Sequence, residues 1–99
     1  MVALLIALCL PPIVAADDER VARQRQLDQA CEAARAKVLV PLRRDMVAEC
    51  VAKEQRDQTD CEAEFSNYGE RAGTRPPLFY DLPECVAAAD FQKSTRQAR

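Results

Sequence analysis

The chain has 99 residues, a formal net charge of −2 and no histidine. Without histidine it lacks the commonest general base, so Ser-His-Asp and Cys-His catalysis and most catalytic zinc sites are excluded. The slightly acidic charge balance, with no basic run interleaved with aromatic residues, also argues against a nucleic-acid partner.

The N-terminal segment MVALLIALCLPPIVAA differs sharply from the rest of the chain. It carries no charged side chain, whereas all 14 basic and 16 acidic residues lie from Asp17 onward. Residues 2–10 form a short apolar run, two prolines follow, and Val14-Ala15-Ala16 supplies small residues at a cleavage site. The segment is shorter than the roughly 20 residues of a membrane-spanning helix. We therefore predict a signal peptide over 1–16 and a periplasmic or secreted domain over 17–99 that has no integral membrane segment after cleavage.

Four cysteines remain in the predicted mature domain, at Cys31, Cys50, Cys61 and Cys85. An even number of cysteines in a short exported chain predicts two disulfides. The intervals between them are too long for the closely spaced ligand pairs of structural zinc sites, and the chain lacks a CxxC redox motif. We assign no metal, cofactor or catalytic residue.

The composition of the mature domain, rich in alanine, glutamine, glutamate and arginine, predicts an all-α fold with four helices. The first helix is predicted from Asp17 or Asp18 to Leu39, with acidic residues at its start. Pro41 is predicted to break it, because its ring clashes with the carbonyl four residues earlier; a kink within one longer helix is the alternative. A second helix follows. The two helices carry apolar stripes that include Leu27, Cys31, Ala34 and Val38 in the first and Leu42, Met46 and Cys50 in the second.

Capping residues indicate where the third and fourth helices begin. Thr59 and Glu62 form a capping box, so the third helix is predicted to start there and to end by Gly69. Asp81 is predicted to cap the fourth helix, which has Pro83 in its first turn and ends near residue 97. All five aromatic residues lie in these two helices or in the loop between them, residues 69–80, which we call the long loop. This distribution predicts a core centred on helices three and four.

The cysteines occur in two repeated settings, CEA at 31–33 and 61–63 and ECVA at 49–52 and 84–87. The midpoint of Cys31 and Cys50 falls at the predicted break, and that of Cys61 and Cys85 falls in the long loop. We therefore predict Cys31–Cys50 and Cys61–Cys85 bridges that staple two helical hairpins. The nested alternative, Cys31–Cys85 with Cys50–Cys61, remains open because Cys50 and Cys61 flank the short connection at 55–60.

The segment PPLFYDLP at 76–83 is the candidate for partner binding, because prolines stiffen a loop that carries large apolar residues. The candidate binding residues are Leu78, Phe79 and Tyr80. We expect Phe79 to turn inward and Tyr80 to keep its hydroxyl near water. Leu78 and Phe79 have a competing role as a lid on the protein's own core, since exposed apolar patches are uncommon on small monomers.

These features predict a small exported helical protein that is not an enzyme and that binds a protein partner, as an accessory or inhibitor-like protein. The alternative from a different class is an enzyme that uses carboxylates with Tyr68 or Tyr80, or a thiol-active envelope protein. A count of free thiols tests the thiol-active alternative, and the absence of a pocket with converging acids would weaken the carboxylate enzyme.

The intact mass of the exported protein tests the predicted cleavage site. We expect a mature chain that begins at or within a few residues of Asp17, because the uncharged apolar run ends there. Retention of residues 1–16 would contradict this prediction. A diacylglycerol adduct at Cys9 would also contradict it.

Overall fold

A computed structural model describes the backbone of residues 12–97 and the side chains of residues 16–97, so most of the predicted signal peptide lies outside the described residues. The described chain forms three helices, α1 (Pro12–Glu54), α2 (Gln58–Phe65) and α3 (Pro83–Gln97). These residues contain no β-strand, and an isolated bridge joins Ala72 and Arg75. The predicted all-α class is confirmed, whereas the prediction of four helices is wrong.

The predicted break at Pro41 does not occur, because α1 is a single helix of 43 residues. Pro41 is exposed, so its ring does not disturb the packed face of α1. Its cost lies within the helix, where the ring crowds the Lys37 carbonyl and that carbonyl loses its hydrogen bond. The two predicted apolar stripes join into one continuous stripe of buried and half-buried side chains. Its members include Leu27, Cys31, Ala34, Val38, Leu39, Leu42, Met46, Val47 and Cys50. Packing along this stripe holds the helix together across the proline.

The rest of the chain folds back along α1 as a second, interrupted arm. Gln55 adopts the left-handed conformation, with φ 53°, that commonly ends a helix, and the chain reverses within residues 55–57. In the described chain, α2 and α3 each contact α1 but do not contact each other. The fold is therefore one antiparallel hairpin, and the prediction of two helical hairpins is wrong.

Two disulfides join the arms. Cys31 bonds to Cys85 with Cα atoms 4.4 Å apart, and Cys50 bonds to Cys61 with Cα atoms 5.9 Å apart. The predicted pairing of Cys31 with Cys50 and Cys61 with Cys85 is wrong, and the nested alternative is correct. An unbroken helix holds Cys31 and Cys50 about 28 Å apart, whereas a disulfide tolerates about 7 Å between Cα atoms. Each CEA cysteine still bonds to an ECVA cysteine, but to the one on the opposite arm.

The core follows the face of α1 rather than centring on the last two helices as predicted. Its buried apolar residues are Cys31, Leu39, Cys50, Cys61, Cys85 and Ala88. None of the five aromatic residues is buried. The disulfides thus fill the positions that large apolar side chains occupy in most domains, which explains how a chain with few such side chains forms a core.

Two helices start earlier than predicted. In the described chain α1 begins at Pro12, so Asp17 does not lie in its first turn. The second helix, α2, begins at Gln58 with Asp57 at the N-cap position, and Asp57 makes no side-chain capping hydrogen bond. Thr59 therefore lies inside the first turn and is not the cap. The end of α2 at Phe65 agrees with the prediction that this helix ends by Gly69.

The start of α3 agrees in part with the start that the sequence predicts. Pro83 is the first helical residue, where its missing N–H is tolerated. The backbone N–H groups of Cys85 and Val86 both donate to the carbonyl of Leu82, at 2.9 Å. Leu82 therefore occupies the N-cap position that was predicted for Asp81.

The structure bears on location in two ways. Within residues 12–97, no helix is both long enough and apolar enough to cross a bilayer. The two disulfides are consistent with an extracellular location, because such bonds persist in oxidising compartments. The signal peptide itself stays a prediction.

The contact of Gly69 with Leu39 gives a test of the docking of the long loop on α1. Gly69 has φ +95°, and a Cβ atom there would collide with the Leu39 side chain. We expect Gly69→Ala to lower the free energy of unfolding by about 2 to 5 kcal/mol, from backbone strain and overpacking.

Gly73→Ala is the matched control, because Gly73 also has positive φ, at +59°, but a Cβ there would meet open space. Its cost should be about 1 to 2 kcal/mol, from backbone strain alone. Urea unfolding of both variants measures the difference. Equal losses would show that the loop does not pack on Leu39.

Candidate functional site

Arg35 is the one charged side chain that is buried among the described residues, at 1% exposure. Its Nε donates to the Leu78 carbonyl oxygen and its Nη2 to the Gly69 carbonyl oxygen, both at 3.0 Å. Its Nη1 donates to Oε2 of Glu32 at 2.8 Å and lies 3.3 Å from Oε1 of Glu70. Because the guanidinium is a rigid planar fork, it fixes two points of the long loop against α1 at once.

Tyr80 is held by the same network although its side chain is 44% exposed. The Arg35 guanidinium lies 4.1 Å from the centroid of the Tyr80 ring, a cation–π contact that contributes about 1 kcal/mol. The Tyr80 hydroxyl donates to Oε1 of Glu32 at 3.0 Å. An exposed aromatic ring is therefore kept in one orientation by a buried cation and a carboxylate.

The ionisation states of Arg35 and Tyr80 are stable near neutral pH. Burial acts to lower the pKa of Arg35, but the Glu32 hydrogen bond and the electrostatic interactions with Tyr80, Glu32 and Glu70 together raise it above its ordinary value. Burial raises the pKa of Tyr80, the hydrogen bond to Glu32 raises it further, and Arg35 opposes the change. Arg35 therefore stays charged, and the Tyr80 hydroxyl stays protonated as a donor.

Of the three predicted binding residues, only Tyr80 is exposed. Leu78 and Phe79 are half-buried, and the Leu78 N–H donates to the Gly69 carbonyl at 2.9 Å. Phe79 has φ 68°, a left-handed conformation that costs about 1 to 3 kcal/mol for a residue with a large side chain. The loop thus presents Tyr80 at the surface, with Leu78 and Phe79 less accessible behind it.

Tyr80 stands at one end of a groove between α1 and α3. The cavity beside it has a volume of about 360 Å³ and is lined by Asp28, Cys31, Glu32, Tyr80, Cys85, Ala88, Ala89 and Gln92. The buried Cys31–Cys85 disulfide contributes to this lining, and so do two alanines, whose small side chains leave the groove open. We name this cavity the Tyr80 groove.

The depression continues along α1 towards its N-terminal end. A second cavity shares Asp28 and Glu32 with the Tyr80 groove and extends to Val21, which is 58% exposed. Residues 21–32 span about 16 Å along the helix axis. Two exposed apolar side chains, Val21 and Tyr80, therefore mark the two ends of one elongated surface.

A cluster at the other end of the molecule, where α1 meets α2, is explained by ion pairs. Oxygen and sulfur atoms of Cys50, Glu54 and Glu64 lie within 4.8 Å of one another. The Cys50 sulfur is bonded to Cys61, and Arg56 pairs with both carboxylates. Both carboxylates are thus already paired with a cation of the chain itself, which offsets part of their charge.

The sequence patterns do not single out Arg35 as important, although they contain a signal for it. Arg35 lies four residues after Cys31 and four before Leu39, on the buried stripe of α1. A charged residue at such a position is buried only when it is paired and hydrogen-bonded. The groove has no comparable signal, because it depends on which helix packs against Asp28 and Glu32.

Comparison of the chain with protein-family models, curated proteins and solved structures finds no match. The function is therefore inferred from the surface around Tyr80 and from the two disulfides, which are consistent with an extracellular location. The two features that support an interaction surface are the fixed, exposed aromatic ring and the open groove beside it.

Arg35→Lys tests whether the guanidinium fork holds the loop. We expect the free energy of unfolding to fall by about 2 to 4 kcal/mol, because an ammonium group cannot reach both carbonyls and Glu32 in the same geometry. Chemical denaturation of the oxidised protein measures this change. Lys37→Ala, an exposed change on the same helix, should alter stability by less than about 0.5 kcal/mol. A lysine variant as stable as the wild type would contradict the role given to Arg35.

Proposed function

We propose that this protein is exported and binds a protein partner through Tyr80 and the Tyr80 groove, as an accessory or inhibitor-like protein. The observation that carries the proposal is the exposed Tyr80 ring, which Arg35 and Glu32 hold beside an open groove. Tyrosine is enriched among the residues that dominate protein interfaces, because it buries a large rigid surface and keeps a polar tip.

Pre-organisation supports the proposal in energetic terms. Ordering a mobile side chain on binding costs about 0.5 to 1.5 kcal/mol. Tyr80 is already ordered by two contacts, and the Cys31–Cys85 disulfide fixes α3 beside it. A partner that packs against this surface therefore loses little free energy to the ordering of loop or side chains.

The alternative of a carboxylate enzyme has weaker support. Asp28, Glu32 and Tyr80 do share the groove, but both oxygens of Glu32 already accept hydrogen bonds and its side chain is 57% exposed. Carboxyl groups that act as general acids usually sit in apolar, desolvated surroundings. The thiol-active alternative also has weak support, since the four cysteines of the described chain are buried in disulfides.

Ala89→Trp tests the proposal by filling the groove from its exposed wall. Partner capture from the periplasmic or culture fraction should fall at least tenfold with this variant, equivalent to about 1.4 kcal/mol. Quantitative mass spectrometry of the captured proteins gives the measurement. The physical reason is steric, since an indole in the Tyr80 groove excludes any partner side chain.

Ala87→Trp is the matched control, an exposed alanine of α3 that does not line the Tyr80 groove. It should capture the same partner as the wild type, and both variants should keep wild-type unfolding transitions. Equal capture by the wild type and both tryptophan variants would refute binding at this surface.

A further inference from the structure

Resting on the proposed function, we infer that the Tyr80 groove takes an extended partner segment that carries a basic residue and, two positions away, a small apolar residue. The basic residue pairs with Asp28. The apolar residue packs over Ala88 and Ala89 against the edge of the Tyr80 ring. A basic segment of this kind is the class of ligand that the charges and the shape of the groove fit best.

Asp28 is held in position as an acceptor for an incoming cation. The Gln24 side-chain amide donates to Oδ1 of Asp28 at 2.9 Å and to the backbone carbonyl of Ala88 at 3.0 Å. Gln24 thus ties α1 to α3 and orients the carboxylate between them. The second carboxylate oxygen, Oδ2, accepts no hydrogen bond from the part of the chain that the structure describes.

The remaining charges at this end of the groove are already balanced. Glu32 accepts hydrogen bonds from Arg35 on Oε2 and from Tyr80 on Oε1, so the buried guanidinium compensates its charge. Asp28 is then the carboxylate in the lining of the groove that forms no ion pair within the described chain. A cation on the partner complements it, whereas an acidic side chain is repelled, which is how interfacial charges select partners.

The distance between Asp28 and the Tyr80 end of the groove matches the side-chain repeat of an extended segment. Asp28 and Glu32, which holds the Tyr80 hydroxyl, lie one helical turn apart, about 6 Å along the axis of α1. Side chains at positions i and i+2 of an extended chain point the same way and lie about 6.4 to 6.8 Å apart. The alanine side chains beside the disulfide leave space in which a valine-sized group can pack.

The test uses acetylated hexapeptides with a lysine and a valine two positions apart in a glycine-serine background. Matched peptides carry glutamate or norleucine in place of the lysine. Titration of the oxidised mature protein, followed by NMR, should give at least about tenfold tighter binding of the lysine peptide than of the glutamate peptide. The largest shifts should fall on Tyr80, Ala88 and Ala89.

Asp28→Asn should weaken binding of the lysine peptide by about three- to tenfold, and added salt should reduce the remaining difference between peptides. Asp45→Asn is the control, because Asp45 is an exposed acid on the same helix that does not line the groove. It should bind the lysine peptide as the wild type does.

The outcomes separate this inference from the proposed function. If Ala89→Trp abolishes partner capture but Asp28→Asn does not weaken it, the proposed function stands and the basic segment is wrong. Absence of lysine-peptide binding, or equal binding of all three peptides, also overturns the inference. Concentration-dependent dimerisation that Ala89→Trp abolishes would identify a second copy of the chain as the occupant and overturn it too. Capture that is insensitive to Ala89→Trp refutes the proposed function itself.

Discussion

The distance that an unbroken α1 imposes between Cys31 and Cys50 governs the rest of this structure. The helix separates the two residues by about 28 Å, so each of them can bond only to a cysteine on the returning arm. That arm is α2, the long loop and α3, and the nested bridges close it near both ends. The hairpin, the position of the loop and the groove beside Tyr80 all follow from this constraint.

Between the two bridges the loop is held by a cation rather than by a large apolar core. Leu39 is the one large apolar side chain buried on the described part of α1, and the buried Arg35 lies one turn before it. Burial of an unpaired charge would be strongly destabilising, but Arg35 has carbonyl, carboxylate and aromatic partners that satisfy it. The loop therefore takes its shape from directional contacts, which hold Tyr80 in place while leaving its ring exposed.

The surface proposed for binding is a consequence of the same shortage of large side chains. Where α3 meets α1, the contact residues are alanines and a disulfide, which keep the helices close but leave the Tyr80 groove open beside them. A larger residue at Ala89 would fill the Tyr80 groove and remove the space for a partner. The hydrogen bonds of Gln24 hold Asp28 at this groove, where Asp28 and Glu32 supply negative charge.

The sequence by itself determined the helical class, the four disulfide-forming cysteines, the apolar residues of the two stripes that join on α1, and the place of Pro83 in the first turn of α3. It left open whether the chain turns at Pro41 or at residues 55–57. In an antiparallel hairpin, two bridged cysteines lie at equal distances along the chain from the turn. The midpoint of Cys31 and Cys85 is residue 58, and that of Cys50 and Cys61 lies between residues 55 and 56, so the nested pairing fits a single turn near these residues. Proline in a helix costs about 3 kcal/mol or more, and that local penalty favours a break. Only the tertiary structure decided otherwise, because a continuous stripe lets α2, the loop and α3 all pack on one face of α1, and that packing outweighs the cost at Pro41.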